Sequence, residues 1–161
     1  MKTQIRNIEK EDIEELSYIF VDAYKAEKTG ENWTIQSARD IVEYWLNRSP
    51  ADMKIAAVNQ EGRILGAFLA DIKPWWDGPH MIDGEFFVRT HAQGKGIGKM
   101  LIAELLTRAH QNHNATCFET ITFEPDSEHP LKWYLSIGFE KVDNLVVING
   151  VTEKVLEQLR R

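Results

Sequence analysis

The sequence lacks the features of disulfide-stabilised and membrane-spanning proteins. It contains one cysteine, Cys117, in 161 residues, so no disulfide can form within the chain. Cys117 lies in the apolar run 115–123 with no histidine in an activating pattern nearby, so we expect a small buried residue there rather than a nucleophile. No apolar stretch is long enough to span a bilayer. Residues 1–8 predict a short strand rather than a signal-peptide core, so we expect a cytoplasmic location by default.

Positive charge is also scarce. The chain has 19 basic and 25 acidic residues, a formal net charge of −6, which argues against nucleic acid or an anionic membrane as a partner. A cationic acceptor would suit the chain better, although an acidic surface also serves solubility alone. His110 and His113 lie one helical turn apart, but no cysteine or acidic residue completes a ligand set at metal spacing. We therefore expect no metal site.

What is present is the composition of one ordinary globular domain. Hydrophobic residues make up 43% of the chain and charged residues 27%, so we expect a single domain over residues 1–161. The periodicity and the turn residues predict a mixed α+β order. The predicted elements are a strand at 3–8, helices at 13–23 and 34–48 with Thr34 as N-cap, strands at 53–59 and 63–73, a loop at 74–79, a strand at 80–88, a helix at 98–111, a strand at 115–123, a helix at 131–136, and a hairpin at 145–152 centred on Asn149-Gly150.

The most informative segment is the glycine-rich turn at 88–98, Val-Arg-Thr-His-Ala-Gln-Gly-Lys-Gly-Ile-Gly. It follows an apolar strand and opens an amphipathic helix. Gly94, Gly96 and Gly98 have no Cβ, so the backbone can reach positive φ and an anion can approach its N–H groups. The helix N-terminus adds free donors and a positive dipole end. The segment predicts a phosphate site for a nucleotide-tailed cofactor; the alternative is an ordinary flexible turn.

Two well-known phosphate loops do not match these letters. The Walker loop requires Ser or Thr after Gly-Lys, where this chain has Met100. The dinucleotide pattern G-x-G-x-x-G requires a third glycine where this chain has Lys99 or Leu101. The pattern that remains is Gln93-x-x-Gly96-x-Gly98 after an apolar strand.

This remaining pattern resembles the acyl-CoA-binding motif of the GNAT superfamily of N-acyltransferases, in which Gln/Arg-x-x-Gly-x-Gly/Ala follows a strand that ends in an apolar triplet. Here the triplet is Phe86-Phe87-Val88. A second segment at 133–139, Trp-Tyr-Leu-Ser-Ile-Gly-Phe, resembles the aromatic-Tyr-x-x-x-Gly-Phe segment of the same superfamily, and the two occur in family order. The resemblance implies the GNAT fold, a mixed, mostly antiparallel sheet of about seven strands with helices on both faces, and acetyl-CoA as cofactor.

The resemblance also implies roles for individual residues. Phe86 and Val88, on either side of Phe87, would pair their backbone with the pantetheine arm of CoA as an added strand. Tyr134 matches the tyrosine that protonates the leaving thiolate, and a hydroxyl with a pKa near ~10 suits that task; the alternative is a tyrosine that only packs. The residues whose main-chain N–H groups would hold the pyrophosphate are Gln93, Gly94, Lys95, Gly96, Ile97, Gly98 and Lys99.

Candidates for the base and for the acceptor pocket come from the residues themselves. Asp83 and Glu85 lie on the strand before the loop and share a face by the period of two, so either could deprotonate an ammonium directly or through water. Glu85 is the stronger candidate. The loop Trp75-Trp76-Asp77 could wall an acceptor pocket, with aromatic faces for a cation and Asp77 as a counter-charge. The alternative is a hydrophobic plug over the end of the sheet.

Together these features favour an N-acetyltransferase that moves an acetyl group from acetyl-CoA to a primary amine of a small molecule. The alternatives are a protein N-terminal or lysine acetyltransferase and, outside enzymes, a non-catalytic acyl-CoA-binding module. The edge of the predicted C-terminal hairpin could also pair with a second copy of the chain to form a homodimer. Four charged residues could instead block that edge, namely Lys154, Glu157, Arg160 and Arg161.

Overall fold

The computed structural model describes residues 3–25, 29–123 and 130–160. The chain divides into two compact units, residues 1–121 and residues 122–161. In order, the elements are β1 Gln4–Asn7, α1 Ile13–Ala23, α2 Ile35–Arg48, β2 Lys54–Val58, β3 Ile64–Trp75, β4 Gly78–Val88, α3 Ile97–His113, β5 Cys117–Glu119, α4 Leu131–Ser136 and α5 Thr152–Leu159.

The first unit is built on one sheet with the strand order β1-β2-β3-β4-β5. The first four strands are antiparallel neighbours, and β5 runs parallel to β4. The predicted mixed and mostly antiparallel sheet is therefore confirmed. It has five strands in the described residues rather than about seven.

Helices cover both faces of this sheet. Because strand residues alternate between faces, Ala67 and Leu69 of β3 enter a core with α1 and α2, and Phe68 faces the other way. The core under α1 and α2 includes Leu16, Ile19, Phe20, Ala38, Val42, Ala67, Leu69 and Phe87. On the opposite face α3 packs against β2, β3 and β4, and its Leu101 and Leu105 are fully buried.

Helix α2 begins where its predicted capping residue, Thr34, places it. The Thr34 hydroxyl accepts a hydrogen bond from the Ser37 N–H (3.0 Å), and the Ser37 hydroxyl accepts one from the Thr34 N–H (2.9 Å). This reciprocal pair satisfies two donors at the start of α2. The N-cap prediction is confirmed, as are helices over α1, α2, α3 and α4 within one or two residues.

The prediction of a loop at 74–79 is wrong, because β3 continues through Trp75 and β4 begins at Gly78. Pro74 lies opposite Pro79 in the ladder. Beyond Leu69, β3 has no pairing with β2, so a proline here removes no hydrogen bond to a third strand. The turn between the two strands therefore consists of Trp76 and Asp77.

Two predictions near the chain's C-terminal third are also wrong. The strand predicted at 115–123 is limited to Cys117–Glu119, and Cys117 is exposed rather than buried. The hairpin predicted at 145–152 is absent; residues 145–150 form no strand, and α5 begins at Thr152. Strong helix formers follow Thr152 at once, so the second strand has no residues to extend into. The edge strand expected to pair two copies of the chain is therefore missing.

A bulge interrupts β4 at Gly84. Leu69 of β3 pairs with Glu85, but the next residue, Ala70, pairs with Asp83. Gly84 is thus an extra residue in the ladder. The indole ring of Trp45, from α2, lies against it: a Cβ built on Gly84 would be 2.6 Å from Trp45 Cε3 and 2.7 Å from Cε2.

Substitution of Gly84 by alanine is therefore expected to destabilise the fold by about 1–3 kcal/mol, because the added methyl group overlaps a large ring held by a packed helix. Chemical denaturation measures the change. The control is the same substitution in a Trp45→Leu background, where the smaller side chain leaves room, so the cost of Gly84→Ala should shrink. An equal cost in both backgrounds would show that the indole ring is not the cause.

Candidate active site

The glycine-rich turn links the end of β4 to the start of α3. Gly94 has φ 71° and Gly96 has φ 83°, both in the left-handed region, which favours glycine. Gly96 is the N-cap of α3. The expectation of positive φ is confirmed for these two glycines and wrong for Gly98, which lies inside the first turn of the helix.

The turn presents main-chain donors at the helix N-terminus. The first N–H groups of a helix have no partner within it. In α3 these are the N–H groups of Ile97, Gly98 and Lys99, and Gly96 offers no side chain to cap them. Ile97 is buried and anchors the turn, whereas Lys95 and Lys99 are exposed and add positive charge. The uncapped end of α3 is suited to an anion.

Gln93 contributes differently from the prediction. Its N–H donates to the carbonyl of Arg89 (3.1 Å), so this donor is already used within the turn. Its side-chain Nε2 donates to the carbonyl of Val88 (3.0 Å). Gln93 therefore shapes the turn, and the main-chain donors for an anion begin after it.

The start of the turn is anchored to α1 by residues that no local pattern revealed. The Thr90 N–H donates to Asp22 Oδ2 (3.1 Å), and Arg89 forms an ion pair with Glu15. A hydrogen bond from Lys25, supported by those from Thr90, lowers the pKa of Asp22 to about 2. Asp22 thus stays ionised well into the acid range. These partners are 68 and 74 residues apart in sequence, which explains why the sequence patterns missed them.

The side of β4 that faces away from β3 is only partly covered. Strand β5 pairs with His80–Ile82, and no described strand pairs with this side of residues 83–88; we call this stretch the open edge. The Arg89 N–H donates to the carbonyl of Leu65 in β3 (2.9 Å). Because bonded and non-bonded pairs alternate in an antiparallel ladder, the main-chain groups of Phe86 and Val88 point toward the open edge.

Side chains already contact both open-edge carbonyls. The Tyr24 hydroxyl donates to the carbonyl of Phe86 (3.3 Å), and the Gln93 amide donates to that of Val88. The Phe86 ring stacks on Phe68 with centroids 4.6 Å apart. Phe87 is buried in the core. Within the triplet, Phe86 and Val88 therefore present their main-chain groups at the open edge, and Phe87 does not.

Glu85 lies beside the bulge. It pairs with Leu69, and cross-strand partners share a face, so Glu85 lies on the face that α1 and α2 cover. It is half-buried. The regular alternation from Asp83 to Glu85, on which their predicted common face depended, is interrupted by Gly84. The described side chains do not include that of Asp83.

Tyr134 belongs to the second unit, on the short helix α4. It is 7% exposed, and its ring contacts those of Trp133 (5.0 Å) and Phe139 (5.1 Å) edge to face. The Phe139 N–H donates to the carbonyl of Tyr134 (3.1 Å), and Gly138 has φ 102°. The aromatic-Tyr-x-x-x-Gly-Phe segment thus forms a helical turn closed by a left-handed glycine.

One protein-family model covers most of the chain. The model described as Acetyltransferase (GNAT) family matches residues 13–139, a range that contains the glycine-rich turn, the open edge and Tyr134. The chain belongs to this acetyltransferase family. Membership supports acyl-CoA-dependent acetyl transfer, for which the family uses acetyl-CoA. A search of curated proteins gave no significant match.

Solved structures resemble the GNAT fold of this chain over nearly its whole length. An integron cassette protein from the mobile metagenome of V. cholerae has a TM-score of 0.74 and 24% identity, covering 100% of this chain and 99% of that chain. AAC(6′)-Iy in complex with the bisubstrate analogue CoA-S-monomethyl-acetylneamine has a TM-score of 0.70 and 19% identity, covering 94% of this chain and 99% of that chain. An acetyltransferase from Trypanosoma brucei has a TM-score of 0.64 and 17% identity, covering 92% of this chain and 99% of that chain. At these identities the likeness shows the fold alone.

In this acetyltransferase the β3–β4 hairpin tip is separate from Glu85. Glu85 is seven residues along β4 from Gly78, which corresponds to roughly 23 Å at about 3.3 Å per residue. Trp76 is 87% exposed at the tip, and Trp75 is half exposed with Lys73 Nζ 4.1 Å from its ring centroid. Asp77 Oδ1 lies 2.8 Å from His80 Nε2. The aromatic loop and the candidate base are therefore not brought together.

A histidine whose burial the sequence did not reveal lies near the tip of this hairpin. His80 is 4% exposed, and its Nδ1 lies 2.7 Å from Glu119 of β5. Lys73 Nζ donates to the same carboxylate (2.5 Å). In the described part of the chain, no three His, Cys, Asp or Glu residues are grouped to hold a metal ion, and no helix there is long and apolar enough to cross a membrane.

Proposed function

We propose that this chain is an N-acetyltransferase that moves an acetyl group from acetyl-CoA to a primary amine of a small molecule. The observation that supports it most is the turn of Gly94 and Gly96, which leads from the open edge of β4 to an uncapped helix N-terminus. Phosphate groups and an extended amide-bearing arm are the two ligand chemistries that such neighbours suit.

The cofactor would bind through main-chain groups. The pyrophosphate would accept hydrogen bonds from the turn between Gly94 and Lys99, with the charges of Lys95 and Lys99 nearby. The pantetheine arm would lie along the open edge and pair with Phe86 and Val88. This arrangement would direct the thioester toward the bulge at Gly84, next to Glu85.

The reaction would proceed by direct attack, without a covalent enzyme intermediate. The ammonium of the acceptor loses a proton to Glu85, directly or through water, and the neutral nitrogen forms a bond to the thioester carbonyl carbon. The tetrahedral intermediate then collapses with cleavage of the C–S bond. Tyr134 would donate its proton to the departing thiolate, so that CoA leaves as the thiol. The second proton of the acceptor nitrogen, released as the amide forms, would return through water to the tyrosine.

A small cationic acceptor fits the net charge of −6. The bisubstrate analogue bound to the similar AAC(6′)-Iy joins CoA to an acetylneamine, which is compatible with an amine acceptor of this size. Asp83, Trp75, Trp76 and Asp77 remain predictions as acceptor contacts. The hairpin tip would serve in that role only for an acceptor that reaches it.

A thiol-release assay with acetyl-CoA tests the proposal across polyamines, aminoglycosides, amino acids and short peptides, with CoA binding followed by isothermal titration calorimetry. We expect CoA binding and turnover on one class of small amine. Turnover on peptides alone would instead identify a protein acetyltransferase. Binding without turnover on any class would favour the non-catalytic module, and absence of CoA binding would overturn the proposal.

A further inference from the structure

Tyr24 lies where the C-terminal end of α1 meets β4. Its ring packs on Phe20 with centroids 4.5 Å apart, and its hydroxyl donates to the carbonyl of Phe86 (3.3 Å). Two residues earlier, Asp22 is anchored to the turn through Thr90, whose N–H and hydroxyl both donate to it. The end of α1 is therefore held at two points, which keeps the Tyr24 hydroxyl at the open edge.

The Phe86 carbonyl is an acceptor that an added strand needs. An extended chain pairs with a sheet edge through the main-chain groups of alternate residues, here Phe86 and Val88. The Val88 carbonyl is bonded by Gln93 within the turn itself. Along the strand toward the bulge, the next outward carbonyl is that of Phe86, and Tyr24 contacts it.

We infer that Tyr24 competes with the pantetheine arm for one main-chain acceptor: its hydroxyl donates to the Phe86 carbonyl in the free protein and is displaced by an amide N–H of the arm. The inference rests on the proposed function, and it specifies which group bonds the Phe86 carbonyl before the cofactor binds. The hydroxyl satisfies a half-buried carbonyl and keeps the open edge from pairing with another strand. A ligand that carries the arm competes with it, and one that lacks the arm does not.

The test compares two ligands in two tyrosine variants. The ligands are CoA and adenosine 3′-phosphate 5′-diphosphate, which retains the phosphates of CoA but lacks the arm. In Tyr24→Phe the competing hydroxyl is gone, so CoA should bind about two- to tenfold tighter, the range expected for one neutral hydrogen bond. The affinity for the armless ligand should not change. Calorimetry measures both.

Tyr18→Phe is the matched control, because Tyr18 is on the same helix and is 55% exposed. It should leave both affinities unchanged. A fall in the thermal unfolding midpoint of Tyr24→Phe no larger than one lost neutral hydrogen bond accounts for, with no fall for Tyr18→Phe, would exclude a general loosening of α1. Unchanged or weaker CoA binding in Tyr24→Phe, or an equal change for both ligands, would overturn the inference and leave the proposed function standing. Failure of the wild type to bind CoA would overturn the proposed function instead.

Discussion

Replacement of Gly96 by valine is expected to weaken CoA binding by at least about tenfold. Gly96 has φ 83°, and nothing in the structure lies within 4 Å of the position a Cβ would take. A branched side chain would strain the left-handed backbone by about 1–2 kcal/mol and would project into the space that the proposed pyrophosphate approaches. Calorimetric titration with CoA measures the loss.

Gly62→Val separates backbone strain from blockage of the anion site. Gly62 has φ 79° and also has nothing within 4 Å of its Cβ position, but it lies in the hairpin between β2 and β3. Both variants should lose similar stability, while only Gly96→Val loses CoA affinity. Equal losses of affinity would attribute the effect to strain, and full affinity in Gly96→Val would contradict the phosphate site.

Tyr134→Phe is expected to lower kcat by about 100-fold or more with the affinity for CoA retained. A positioned proton donor contributes on the order of 10²–10⁴ in rate, and phenylalanine keeps the ring that contacts Trp133 and Phe139. The loss should therefore appear in turnover rather than in folding. The measurement is steady-state thiol release with the acceptor that the panel identifies.

Tyr44→Phe is the control for this substitution, since Tyr44 lies on α2 and is 51% exposed. It should retain full turnover. Full turnover in Tyr134→Phe as well would assign the proton to another group and leave Tyr134 as a packing residue. A fall in its unfolding midpoint would show that the hydroxyl also supports the fold of the second unit.

Local patterns predicted most of the elements of the first unit. The apolar spacing over α1 and the Thr34 N-cap of α2 concern neighbours within four residues. The same is true of the turn at Gly94 and Gly96, whose left-handed φ depends on the glycines themselves. Such features arise from hydrogen bonds and sterics inside one short segment, so the sequence is sufficient to predict them.

The failed predictions concern interactions between segments. Pro74 and Trp75 belong to a segment whose prolines and glycine predict a loop, yet pairing with β4 keeps them in a strand. The bulge at Gly84 shifts the register beside Glu85, and the ring that lies against Gly84 belongs to Trp45, nearly forty residues earlier in the chain. The C-terminal hairpin was expected from Asn149-Gly150, but a turn signal needs a second strand to pair with, and α5 begins too soon.

Sequence patterns alone indicated the family, because the glycine-rich turn and the tyrosine segment are runs of adjacent residues whose backbone conformation depends on local interactions. The rest of the site depends on contacts between distant segments. The open edge exists because β5 leaves β4 after Ile82, and Tyr24 reaches Phe86 across 62 residues of sequence. Strand pairing and helix packing set these distances, since they depend on free energy summed over the whole sheet rather than on any one segment.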